Sequence, residues 1–181
     1  MGLLVGCTKD DGPDKPAADA RAGVNEAPAA AKRPAGNPEV EGYVVHINGG
    51  RFLVTAYEPA RGRLSCNNAT YFSGVPQGLQ VGQKVRVWTQ AVMESYPAQA
   101  DADHVEIVTA TPIAGAIGTE AEAIRTALPM RKTSSPHSVP FIVRAQYDTT
   151  TKSWAVLFAG NNDNGAGTAD AQPLVVSLSA D

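Results

Sequence analysis

Between Gly42 and Val108 the apolar residues come in short alternating runs closed by glycine, asparagine or proline, and no helix intervenes. That pattern restricts this stretch to a small β architecture. Gly42-Tyr43-Val44-Val45-His46-Ile47 and Arg51-Phe52-Leu53-Val54-Thr55 flank Asn48-Gly49-Gly50, whose residues tolerate positive φ, so the spacing predicts a hairpin. Uniform alternation puts Tyr43, Val45 and Ile47 on one face and His46 on the other. Residues 58–68 read as a loop, 69–72 as a short strand and 73–78 as a turn region. The strongest strand falls within 81–91, with Val85 and Val87 inward and Lys84, Arg86, Trp88 and Gln90 outward. A last strand, His104–Val108, sends Val105 and Ile107 inward. Several short strands with abundant turns suggest a closed or nearly closed antiparallel barrel.

Four segments carry a family resemblance: Glu41-Gly42-Tyr43-Val44-Val45, Tyr71-Phe72-Ser73, Val81-Gly82-Gln83-Lys84-Val85-Arg86-Val87-Trp88 and Glu94-Ser95-Tyr96-Pro97-Ala98-Gln99-Ala100. Over residues 40–109 the chain resembles domain of unknown function family 3221, whose members are small bacterial proteins, often lipoproteins. The resemblance implies a barrel like the oligonucleotide/oligosaccharide-binding fold and an envelope location. It implies no activity and carries no catalytic residues.

A second unit begins near Thr111. Thr111-Pro112 breaks the last strand, and Thr119-Glu120-Ala121-Glu122 has the capping Thr three residues before a Glu that opens a helix. Ala121, Ile124 and Leu128 then share its buried face, and Pro129 ends it. Phe141 to Tyr147, a turn through Asp148 to Lys152, and Trp154 to Phe158 form a second hairpin that the helix can cover. Residues 174–178 supply a third strand paired with it. Helix followed by hairpin is faintly similar to the PepSY family of secreted proteins, some of which restrain peptidases. The expected fold is therefore mainly β: an N-terminal tether over 1–38, an OB-like barrel over 39–110 and a small α+β module over 111–181.

The N-terminal segment speaks to location. Leu4-Val5-Gly6-Cys7 is the pattern at which a bacterial lipoprotein peptidase cuts, and acylation of Cys7 would anchor the chain by about 0.8 kcal/mol per buried methylene. A secretory leader needs a basic start and an apolar core. Since neither precedes Cys7, either the translation start lies further upstream or the tetrapeptide is a chance occurrence in an untethered cytosolic tail, and the composition that follows favours the first. Residues 8–38 are rich in Ala and Pro with charges of both signs and few bulky apolar groups, so they cannot bury enough surface to offset ordering entropy. A disordered spacer after a lipidated cysteine fits a protein on the extracytoplasmic face of the cell membrane.

The formal charge of −3 over 181 residues gives no basic stripe for nucleic acid. Two cysteines make no disulfide framework, and Cys66 reads as a small hydrophobe. There is no nucleophile elbow, phosphate loop or zinc spacing, and no cofactor or metal is expected. His46, His104 and His137 are scattered, each read as solvent-facing. Asn161-Asn162-Asp163-Asn164-Gly165 lacks a first oxygen ligand and a closing Glu, so it reads as a surface loop rather than a calcium site. Asn68-Ala69-Thr70 fits a glycosylation triplet that is silent in a bacterial lipoprotein.

The remaining candidate is an amphipathic platform of Arg86, Trp88 and Tyr96, since aromatics and Arg concentrate at contact surfaces. Its rival reading is structural, with Ser95-Tyr96-Pro97 turning a corner and Tyr96 packed over the barrel end. The sequence thus points to a non-enzymatic envelope lipoprotein that is anchored to the membrane through Cys7 and binds an envelope protein or small ligand. A PepSY-like restrainer of peptidases, or an enzyme with an unrecognised site, is the alternative.

Overall fold

The computed structural model describes residues 34–57, 67–131, 138–159 and 173–179. Cys7 and most of the expected tether, Cys66, His137 and the Asn161 to Gly165 run lie outside the described residues. Seven strands form one sheet: β1 Val40–Asn48, β2 Arg51–Tyr57, β3 Asn67–Ser73, β4 Lys84–Trp88, β5 Val92–Met93, β6 Ala98–Asp101 and β7 His104–Val108. The helix α1, Glu120–Ala127, continues into a single 3-10 turn over Leu128–Met130. The hairpin β8 Ile142–Asp148 and β9 Ser153–Phe158 then joins β10 Leu174–Val176 in a second sheet.

The first sheet has the order β5-β6-β3-β2-β1-β4-β7, and the second β10-β9-β8. The fold is mainly β, and the expected closed or nearly closed antiparallel barrel is corrected in two respects: it is not closed, and it is not wholly antiparallel. The hydrogen-bonded ladder is open, and β3 pairs with β6 in parallel. Instead of a closing ladder, the chain itself crosses the seam. β6 lies on β3 and β7 lies on β4, and only Ala102 and Asp103 separate them. Their consecutive amides donate to opposite sides, Ala102 N to Ser73 O at 3.3 Å and Asp103 N to Trp88 O at 2.9 Å.

The first hairpin forms as expected, with Gly49 at φ 58° and Gly50 at φ 77° making the turn that glycine favours. Its faces differ from uniform alternation because β1 carries a bulge between Val44 and His46. Before the bulge Val40 and Val44 enter the inner core and Tyr43 packs outward, and Val45, the bulged residue itself, also packs outward into the cluster with the second sheet. After it, Ile47 joins the inner core rather than sharing a face with Tyr43 and Val45. An extra residue reverses which side the later side chains take.

Two apolar clusters result. The inner one holds Val40, Val44, Phe52, Val54, Phe72, Leu79, Val85 and Val87, with the Phe52 and Phe72 rings stacked at 5.5 Å. Val105 and Ile107 pack against it, as the alternation of β7 predicts. The second cluster joins the outward residues Val45, Leu53 and Ala69 to α1 and the second sheet, through Ile124, Ile142, Trp154, Val156 and Phe158. β2 therefore buries both faces, and each large side chain so buried contributes about 1.5–3 kcal/mol. Gly42 allows the close approach of β1 to β2: a Cβ there would stand 2.3 Å from the Thr55 carbonyl oxygen.

The helix starts at Thr119 with the expected reciprocal cap. Glu122 N donates to Thr119 Oγ1 and Thr119 N donates to Glu122 Oε2. Its buried face is centred on Ala123, Ile124 and Ala127, a rotation from the expected Ala121, Ile124 and Leu128. The Ala121 backbone carbonyl meets Gly82 in the turn before β4. That glycine has φ +93°, and a Cβ on it would lie 2.1 Å from Ala121 O. The second hairpin and its pairing with β10 match the sequence reading. Asp148 closes the turn by accepting from Thr150 N at 2.8 Å.

Candidate interaction face

β4 presents Lys84, Arg86 and Trp88 on one side and Val85 and Val87 on the other, because strand side chains alternate. On the outer side a ladder of charge crosses three strands. Glu41 receives Lys84 Nζ at 2.7 Å and Arg86 Nε at 2.9 Å, and Arg86 Nη1 lies 3.7 Å from Glu106. The two cations hold the Glu41 carboxyl below its usual range, and Glu41 in turn raises the Arg86 guanidinium. Arg86 is thus engaged within the sheet.

Trp88 is not an exposed platform ring. It is 6% exposed, its indole N–H donates to Gly36 O at 3.2 Å, and its ring meets His104 edge-on at 5.3 Å. Glu39 N donates to Val87 O beside it, so the chain entering β1 covers the end of β4. His104 is correspondingly half-buried rather than solvent-facing, whereas His46 is exposed.

Tyr96 stands elsewhere, at 68% exposure in the corner between β5 and β6, a pair hydrogen-bonded to β3 and not to β4. It does not pack over the barrel end. The Tyr96-Pro97 peptide is cis, and Ser95 Oγ donates to Pro97 O at 2.7 Å. Arg86, Trp88 and Tyr96 are therefore distributed over two regions of the sheet.

The strands flanking the Tyr96 corner carry a face that the sequence did not single out. Met93, 66% exposed, pairs with Gln99, which lies beside Tyr71 on β3. Arg51 Nη2 donates to Gln99 Oε1 at 2.9 Å, and its guanidinium carbon sits 5.2 Å from the Tyr71 ring centroid. Val92 adds 39% exposure at the same edge, and Ser73 Oγ donates to Asp101 Oδ1 nearby. Arg51 and Tyr71 lie on neighbouring strands as a diagonal pair two residues out of register, since Arg51 pairs with Ser73 and Tyr71 with Leu53, so the relevant signal is the pairing of β2 with β3.

The acid and imidazole groups do not converge. Glu106 faces Arg86 on β7, His104 faces Trp88, and Asp101 bonds to Ser73 on β6. Among the described residues no three His, Cys, Asp or Glu side chains gather as metal ligands would, and no helix is long and apolar enough to cross a membrane.

A curled seven-stranded sheet with a parallel β3–β6 pair, backed by a helix and a second sheet, defines a small mainly β protein. Its first sheet, over residues 41–109, matches the family described as Protein of unknown function (DUF3221), which the motifs from Glu41 to Ala100 indicate. No curated protein and no solved structure shows a significant match to the chain.

Proposed function

We propose that the protein is a non-enzymatic binding module, held on the extracytoplasmic face of a bacterial membrane by lipid on Cys7, that meets a protein partner through the Tyr96 corner. The observation that carries the binding reading is the linked row Met93, Gln99, Tyr71 and Arg51 on neighbouring strands, with the exposed Tyr96 in the connection between β5 and β6. It combines exposed apolar surface with Tyr, Met and Arg, the residue types enriched in interface cores. Much of the outer surface of β1, β2 and β3 is covered by the second sheet and α1, so this group is where the outer side of β3 and β6 meets solvent. The spread of His104, Glu106 and Asp101 over the strands supports binding rather than catalysis. The anchor reading rests on Leu4-Val5-Gly6-Cys7.

Two experiments test the two halves. A photo-crosslinking residue placed at position 96 in the producing bacterium should yield a discrete protein adduct, and the same residue at exposed Gln146 should not. Equal labelling from both positions defeats the assigned face. Metabolic labelling with a fatty acid should mark the wild type and spare Cys7→Ser, and an unlabelled wild type defeats the anchor.

A further inference from the structure

The geometry points to a second site, in the groove between α1 and the segment after β10, that binds a short apolar peptide by its two free termini. This open groove has a volume of about 510 Å³, within the range of small-molecule sites, and none of its lining residues belongs to the Tyr96 corner. Ala116, Ile117 and Leu178 give it an apolar lining, and Glu122, Arg125 and Thr126 give it a polar helix wall.

Its walls are fixed before any ligand arrives. Trp154 Nε1 donates to Ile117 O at 2.9 Å and Tyr147 Oη donates to Gly115 O at 3.2 Å, which pin the 115–117 loop to the second hairpin. The Thr126 hydroxyl is tied to Glu122 O at 2.9 Å. Gly118 keeps the groove open: it has φ +69°, and a Cβ there would come within 2.5 Å of Leu178 Cδ1 and 2.9 Å of Glu122 Oε2.

The charges are arranged for a zwitterion. Glu122 and Arg125 stand three residues apart on α1, where neighbours of opposite sign often pair. Here they do not. Glu122 Oε2 accepts from the Thr119 amide and hydroxyl, and Arg125 Nη1 donates to the neutral Gln80 Oε1 at 2.7 Å. A carboxylate and a guanidinium held apart by neutral partners beside one apolar lining suit an ammonium at Glu122, a carboxylate at Arg125 and an apolar side chain against Leu178. The volume exceeds what one amino acid fills, which favours a peptide over a free amino acid.

Calorimetric titration of the full chain with the tripeptide Leu-Ala-Leu tests this, alongside its N-acetylated and C-amidated forms. The free tripeptide should bind saturably, and blocking either end should weaken it about tenfold. Glu122→Gln, which preserves the reciprocal cap, should bind free and acetylated forms alike. Arg125→Gln should bind free and amidated forms alike. Far-ultraviolet circular dichroism verifies that both variants fold. No binding of the free tripeptide at millimolar concentration, or equal binding of free and doubly blocked forms, overturns the assignment.

Discussion

The Tyr43 hydroxyl donates to Glu120 Oε1 at 2.6 Å, joining β1 to the first turn of α1 across 77 residues of sequence. Burial and the adjacent carboxylate both push the Tyr43 hydroxyl above its ordinary range, burial foremost. The folded chain then keeps this proton where the unfolded chain loses it, so stability present below about pH 10 declines as pH rises further. Tyr43→Phe should cost about 1–2 kcal/mol at pH 7 and flatten the alkaline decline relative to wild type. Urea midpoints at pH 8 and pH 11 measure both effects, and parallel pH slopes for the two proteins contradict the assignment.

Gly82 holds the turn before β4 against the helix backbone. Gly82→Ala must strain a backbone at φ +93° and move Ala121 O. A loss of about 2–4 kcal/mol is expected, read as a lower thermal midpoint. A change under about 0.5 kcal/mol would mean that the helix shifts freely over the sheet.

Trp88 and Tyr96 separate structural from surface roles. Trp88→Ala removes a buried ring and its bond to Gly36 and should cost about 3–5 kcal/mol. Tyr96→Ala should change stability by no more than about 0.5 kcal/mol. Guanidinium unfolding of the two variants gives the comparison.

Glu41 contributes through its depressed carboxyl. Its share of stability is present above the unfolded value near 4.5 and is lost as pH falls through the lower folded value. Because the Lys84, Arg86 and Glu41 side chains are about a third exposed, the contribution is at most about 1 kcal/mol and is screened by salt. Glu41→Gln should therefore reduce the acid sensitivity between pH 5 and pH 3 in low salt and have less effect in 1 M salt.

Thr55 is fully buried, and its Oγ1 has no hydrogen-bond partner among the described residues. Thr55→Val keeps the shape and removes the stranded hydroxyl, so stability should rise by about 1 kcal/mol. A destabilised variant would show that the hydroxyl is bonded in solution.

The elements most legible in the sequence are those whose signals are local. Asn48-Gly49-Gly50 specifies its turn, Thr119 and Glu122 cap each other within one helical turn, and Val85 and Val87 alternate over an unbroken strand. Long-range contacts explain the differences. The bulge near Val45 arises where β1 must serve two cores, so alternation read from the strand alone misplaces Ile47. Trp88 does share a face with Lys84 and Arg86, yet Gly36, 52 residues away, covers it. The Arg51, Tyr71 and Gln99 group exists only through the register of β2, β3 and β6, which no local periodicity encodes.

The crossing at Ala102 and Asp103 has a consequence for variation within such sheets. Since neighbouring peptide units there answer to different edges, lengthening the link by one residue could absorb its slack without disturbing either ladder, whereas shortening it would drag Asp101 off Ser73 or His104 off Trp88. Related chains should accordingly tolerate additions at this point and resist losses.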